Sequence, residues 1–157
     1  MVKKCICASC ILFKDGKILL HRHKKLGKWM YPGGHVDENE TPTDAAAREV
    51  LEETGYRARL VGRRPMGLEG DANVAEEPLP LAILYETVRY SAEMHMHFDM
   101  IYMGVAEDGS SSAVAANESK EFMWVSKDDD ISTIDTFENM KKTLAYAFGA
   151  AKSIGVQ

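Results

Sequence analysis

A chain of 157 residues, 45% hydrophobic and 27% charged, is long enough to bury a core and ordinary in composition for a globular protein, most simply one domain over 1–157. A formal charge of −5 argues against general affinity for nucleic-acid polymers or anionic lipid, so a phosphate-bearing ligand would need metal ions or a local cluster of Lys and Arg. No apolar segment approaches transmembrane length, and the stretch after Lys3-Lys4 is too short for a signal peptide.

In chain order, the apolar run Cys5–Phe13, the turn Lys14-Asp15-Gly16 and Lys17–His23 predict two strands joined by a hairpin. The three cysteines, Cys5, Cys7 and Cys10, all fall in or beside that run. A CxCxxC pattern suggests a metal or redox site, but a tetrahedral thiolate site needs a fourth ligand and none is adjacent in sequence. They read instead as small buried strand residues, and their odd number with no disulfide pattern fits a reducing, cytoplasmic compartment. Trp29–Gly34 is a strand end entering a tight Pro32-Gly33-Gly34 loop. Thr41 is placed to cap a helix with Pro42 in its first turn, running to about Thr54 and stopped by Gly55. Ala46, Ala47, Val50 and Leu51 are expected to form its apolar side, opposite the glutamates of the same helix.

A strand is expected over Tyr56–Met66, rich in Arg57, Arg59, Arg63 and Arg64, then an acidic loop over Gly67–Pro80. Leu81–Tyr90 and His97–Glu107 read as adjacent antiparallel strands. Asp108–Asn117 is a Ser/Ala/Gly loop, Phe122–Val125 a short strand, and Thr136–Ile154 a helix with apolar spacing at Phe137, Met140, Leu144, Ala147 and Phe148. The sum is α/β (α+β): a mixed β-sheet with helices on its faces.

Glu49, Glu52 and Glu53 stand at i, i+3 and i+4, which groups three carboxylates on one side of the helix. Like charges so spaced destabilise an isolated helix by roughly 0.2–0.5 kcal/mol per pair, so a cation is expected over them. A hard divalent ion with oxygen ligands suits such a cluster. A solvated acidic face is the ordinary alternative, but it would not require a Pro-Gly-Gly loop and a glutamate at fixed distances upstream.

The run from Gly34 through Glu40 to Arg48-Glu49-Val50-Leu51-Glu52-Glu53-Thr54-Gly55-Tyr56 resembles the signature of the Nudix hydrolases, G-x5-E-x7-R-E-U-x-E-E-x-G-U with U apolar or aromatic. Every fixed position is matched, with Tyr56 less typical than an aliphatic residue at the last one. Trp29, Pro32 and Gly33 match a lead-in found in many members. The resemblance implies the α/β/α sandwich of that family and hydrolysis of the pyrophosphate linkage of a nucleoside diphosphate joined to another group, such as a (d)NTP or a nucleotide-sugar-like compound. It implies Mg²⁺ as cofactor, with Mn²⁺ as alternative. Glu52 and Glu53 would then be metal ligands, Glu49 a ligand or the general base, and the backbone at Gly34 a carbonyl ligand. Arg48 would orient the glutamates, and Glu40 would support the loop and metal shell or reach substrate. Family members often add a carboxylate from a later loop, for which Glu118 is the first choice and Glu121 the second.

Outside the motif, Arg22 is a candidate for a phosphate, Trp29 for stacking on a base, and His97 with Asp99 for substrate or metal. His21 with His23, and His95 with His97, alternate on strand faces, where half-buried structural histidines are the commoner case. The expected partner is a nucleotide-type small molecule rather than a nucleic-acid polymer or a membrane, and a homodimer is left open. Two other readings are weighed. One is a Nudix scaffold that senses a ligand without catalysis, against which the complete glutamate set counts. The other is isoprenoid diphosphate isomerisation, for which no cysteine stands near the motif.

Overall fold

The computed structural model describes residues 2–62, 66–67, 73–90, 93–107, 114–154 and 156. Two long strands organise it: β1 (Lys3–Lys14) and, far along the chain, β7 (Glu93–Ala106) run parallel from Lys3 opposite His95 to Phe13 opposite Val105. A tight turn sends β1 into β2 (Lys17–Arg22), with Asp15 at φ 49° and Gly16 at φ 72°. Positive φ at both turn residues matches the right-handed twist of a two-residue hairpin, which is why Asp-Gly serves there. β2 also pairs with β3 (Trp29–Met30) and β8 (Phe122–Val125).

At the other end of β1 the antiparallel partner is β4 (Gly33–His35). β7 is flanked in the same divided way, by β5 (Ala58–Val61) at its C-terminal end and β6 (Ala82–Tyr90) at its N-terminal end. Among the described residues the result is one eight-stranded sheet, and its mixed character is the one the sequence predicts.

Among the described residues two α-helices cover it. α1 (Pro42–Thr54) begins with Thr41, whose Oγ1 accepts from the Asp44 N–H at 3.1 Å while the Asp44 carboxylate accepts from the Thr41 N–H at 3.2 Å. It ends at Gly55, at φ 76°, whose N–H donates to Leu51 O. Strand alternation sorts the core: Ala8, Cys10, Leu12 and Tyr102 pack against Ala45, Ala46 and Val50 of α1. Ile11, Phe13, Ile101 and Met103 pack on the other side against Met140, Leu144 and Ala147 of α2 (Glu138–Ser153).

Several expectations are corrected. α1 buries Thr43, Ala45, Ala46, Val50, Glu53 and Thr54, while Ala47 and Leu51 are half-buried. The buried stripe is rotated from the one expected, so Glu53 turns inward instead of standing opposite the core. Trp29–Gly34 forms two short strands on either side of Pro32, one joining β2 and the other β1. The strand expected over Tyr56–Met66 is confined to Ala58–Val61, and Arg63 and Arg64 lie outside the described residues. β7 begins at Glu93, four residues before the expected His97, because β6 pairs with it as far as Tyr90 opposite Glu93. α2 starts at Glu138 with Phe137 as its N-cap residue. Parts of the loops expected over 67–80 and 108–117 also lie outside the described residues. Among the described residues no helix is long and apolar enough to cross a membrane.

Candidate active site

The glutamates of α1 are graded from solvent to core. The Glu52 side chain is 48% exposed, Glu49 15% and Glu53 8%. Glu53 accepts a hydrogen bond from the Gly33 N–H at 3.0 Å, and one of its oxygens lies 3.3 Å from His21 Nε2. Burial, with the charges of Glu49, Glu118 and Glu52 added, pushes its carboxyl up to about 8. Burial and His23 press His21 down to about 4, which favours a neutral imidazole beside the Glu53 carboxyl. His21 Nδ1 is buried with no hydrogen-bond partner among the described residues. Glu49 is raised as well, by burial first, with the Arg48 guanidinium opposing.

Arg48 is the cation that covers the exposed part of this cluster. It donates from Nε and Nη2 to the two Glu40 oxygens at 3.1 and 2.7 Å, from Nη1 to Glu49 at 2.9 Å and Glu52 at 3.4 Å, and from Nη2 to His35 O at 3.0 Å. Glu40 also accepts from the Asp37 N–H at 2.8 Å, so it braces the loop and Arg48 and does not line the cleft. Arg48→Lys is expected to lower turnover about 10–100-fold, the range for loss of a residue that orients ligands. A lysine keeps the charge but cannot fork between Glu40 and Glu49. Steady-state rates at saturating metal check this, and full activity in the lysine variant would reduce Arg48 to a point charge.

Close approach defines the loop beside the glutamates. A Cβ on Gly34 would overlap Glu49 Oε1 and lie 2.6 Å from its Cδ, and one on Gly33 would lie 2.8 Å from Ser9 Cα. Only glycine lets this backbone lie against both α1 and β1. From the other side, the Ala115 N–H donates to Glu52 O at 2.9 Å and pins the later loop onto α1. Glu118 follows, its N–H donating to Ala115 O, and its charge raises Glu49, Glu53 and His23. Glu121 turns away and faces Arg22 at 3.9 Å. Of the two carboxylates expected from this loop, Glu118 is the one brought to the glutamate cluster.

Glu49, Gly34 and Gly33 border a cleft of about 650 Å³. Its floor is the face of β1 and β7 that α2 leaves uncovered, including Cys7, Ser9, His97 and Asp99. Ser9 Oγ lies 2.9 and 3.0 Å from the two Asp99 oxygens, and burial pushes the Asp99 carboxyl up to about 6. Leu26, Met30 and Phe137 supply apolar wall, and Lys25 a cation. Arg22 and Trp29, expected at substrate, instead pack together, guanidinium over indole at 5.9 Å, and neither lines the cleft. A second cavity, about 490 Å³ between α2 and Val61, Leu81 and Met103, is lined by no carboxylate, imidazole or amine. Ser9, His35 and the role of His21 were not anticipated from sequence. The one available signal was a polar Ser9 inside the apolar run Ile6–Phe13.

The donor set fits a hard divalent cation. Glu52 and Glu118 add negative charge around Glu49 and Glu53, whose proton affinities are raised, against the Arg48 guanidinium at Glu49 and the Gly33 N–H at Glu53.

The NUDIX domain family model matches residues 3–145, and the chain belongs to that family. Nudix hydrolases generally need divalent metal ions. A Wolbachia pipientis (subsp. Culex pipiens) RNA pyrophosphohydrolase is 31% identical over 135 residues, covering 84% of this chain and 80% of that protein. A Bacillus subtilis (strain 168) protein provisionally named 8-oxo-dGTP diphosphatase is 34% identical over 104 residues, 66% of this chain but 58% of that protein, so the match spans less than two thirds of that relative. Among solved structures, a Nudix-family hydrolase from Clostridium perfringens superposes with a TM-score of 0.80 at 27% identity, over 92% of this chain and 96% of that one.

Proposed function

We propose that the chain is a metal-dependent Nudix pyrophosphohydrolase that cleaves the pyrophosphate linkage of a nucleoside diphosphate joined to another group, a (d)NTP or a nucleotide-sugar-like compound. Mg²⁺ is the activating ion, with Mn²⁺ as the alternative. The observation that carries this reading is the pairing of Glu49 and Glu53 with the Gly33-Gly34 backbone, Glu49 at the border of a cleft and both under the added charge of Glu52 and Glu118. A cleft of about 650 Å³ is of the size that holds a small-molecule ligand.

Glu52, Glu53 and the Gly34 carbonyl would hold the ion, which when bound neutralises phosphate charge and makes a coordinated water more acidic. Glu49, at the cleft border with its proton affinity raised, would act as a metal ligand or take the proton of the attacking water. Arg48 keeps one Glu49 oxygen engaged and leaves the other for that role. Glu118 adds a fourth carboxylate from the facing loop. On the cleft floor, Asp99 and Glu86 offer acceptors for the N–H or O–H groups of a nucleoside, and Leu26 and Phe137 offer apolar surface for its base. The diphosphatase and pyrophosphohydrolase names of the relatives support this bond class. Three free cysteines suit a reducing, cytoplasmic setting.

The test is a panel of (d)NTPs, ADP-ribose, NADH and dinucleoside polyphosphates with Mg²⁺ or Mn²⁺, the products separated by chromatography. Turnover of at least one compound that stops with chelator is expected. Tight binding by calorimetry without products would show a ligand-sensing module instead.

A further inference from the structure

Four side chains meet where the N-terminal half of β1 lies between β4 and the start of β7. Strand register sets Cys5 opposite His97 and Lys3 opposite His95 across the parallel pair, and Cys7 opposite His35 across the antiparallel one. Alternate strand residues share a face, so Cys5, His95 and His97 project to one side and His35 comes in on that same side. Cys5 Sγ lies 3.8 Å from His95 Nδ1, and His35 Nε2 lies 3.4 Å from His97 Nε2. One ligand atom from each of the four residues falls within 4.8 Å of the other three.

Those separations are close to the edges of a tetrahedron. Zinc bonds of about 2.0–2.1 Å to nitrogen and 2.3 Å to sulfur place two nitrogens about 3.3–3.4 Å apart and a sulfur about 3.6 Å from each nitrogen. From 4.8 Å, bringing a pair to such an edge needs a closure of about 1.2–1.4 Å, within reach of side-chain rotation.

We propose that Cys5, His35, His95 and His97 form a zinc-type metal centre, distinct in its ligands and chemistry from the glutamate cluster, with His35 and His97 also lining the cleft that Glu49 borders. One thiolate and three imidazoles select a borderline-soft ion, whereas Mg²⁺ takes oxygen ligands and disfavours this set. Four protein ligands close the coordination shell, so the centre holds structure rather than reacts. It ties β4 to β1 and β7, and β4 carries Gly33 and Gly34, the backbone against which Glu53 and Glu49 rest. The inference does not rest on the hydrolase reading, since none of its ligands is a glutamate and its test reads metal spectra rather than turnover.

The test is Co²⁺ titration of the full chain in buffer containing Mg²⁺, followed by visible and near-ultraviolet absorption. One ion per chain with intense tetrahedral bands and a thiolate-to-cobalt band is expected, displaced by Zn²⁺. The thiolate band should vanish in Cys5→Ser, and affinity should fall at least about tenfold in both Cys5→Ser and His35→Ala. Cys5 is half-buried and His35 exposed, so both variants are expected to fold, which circular dichroism checks. The spectrum should persist in Glu52→Gln. Zn²⁺, but not Mg²⁺, should also slow alkylation of Cys5 as mapped by peptide mass. Weak octahedral absorption only, or a spectrum unchanged by Cys5→Ser, would overturn the proposal and leave a hydrogen-bonded cluster of imidazoles and thiol.

Discussion

Glu53→Gln is expected to cut turnover about a thousandfold, the loss of an interaction worth about 4 kcal/mol in the transition state, while leaving the metal-free fold at least as stable at pH 8. Glutamine keeps the shape and can still accept from the Gly33 N–H, so the packing around position 53 survives. What it removes is a buried carboxyl raised from 4.5 to about 8. Between those values the folded chain binds a proton that the unfolded chain has released, so the metal-free parent loses stability as pH rises through that window. The variant should lack that loss, so between about pH 7 and 8, above the Asp99 and His21 transitions, its melting temperature should be nearly constant. Metal binding runs the opposite way in the parent, because the ion must displace the Glu53 proton. Apparent Mg²⁺ affinity should therefore fall about tenfold for each pH unit below 8, and that contribution should disappear in the variant. Calorimetry at pH 6, 7 and 8 reads the slope, and unchanged turnover in Glu53→Gln would place the chemistry elsewhere.

Gly34→Ala separates activity from folding in a different manner. The added methyl would overlap Glu49 Oε1, the far end of a flexible side chain, so Glu49 can swing aside at small cost to the fold. A displacement of about 1 Å at a reacting group is enough to cost about 100-fold in rate. The expected result is a rate loss of that size with a melting temperature close to the parent's. Gly33→Ala is the contrasting control, because its methyl would meet Ser9 Cα at 2.8 Å and backbone cannot step away. It should lose stability first. If Gly34→Ala also unfolds, or retains full activity, the close approach of loop and Glu49 has no functional meaning.

The local half of the site was legible because its spacing lies within one helix and the loop that feeds it. The spacing of Gly34, Glu40 and Arg48 anticipated a loop packed on the helix, and the cation expected over the glutamates is in part Arg48, three bonds of which tie Glu40 and Glu49 together. The inward turn of Glu53 was not legible. Helical spacing says which carboxylates are neighbours, but the angle at which α1 rests on the sheet decides which one is buried. The Cys5 and histidine cluster was hidden for another reason. Cys5 and His95 lie 90 positions apart along the chain, and the members meet only through the pairing of β1 with β7 and with β4. A search for a fourth ligand adjacent in sequence misses a partner supplied by strand register. Glu118 was separable from Glu121 only once the backbone bond from Ala115 to Glu52 had fixed the facing loop.

The alternation along β1 has a consequence for how this strand can change over generations. Its even positions Ala8, Cys10 and Leu12 meet α1, while Cys7 and Ser9 look into the cleft. Losing or gaining one residue there would slip the register by one and exchange the two sets, pushing apolar side chains into the cleft and polar ones beneath the helix. Drift in this segment is therefore confined to replacements in place or to paired insertions and deletions that preserve parity.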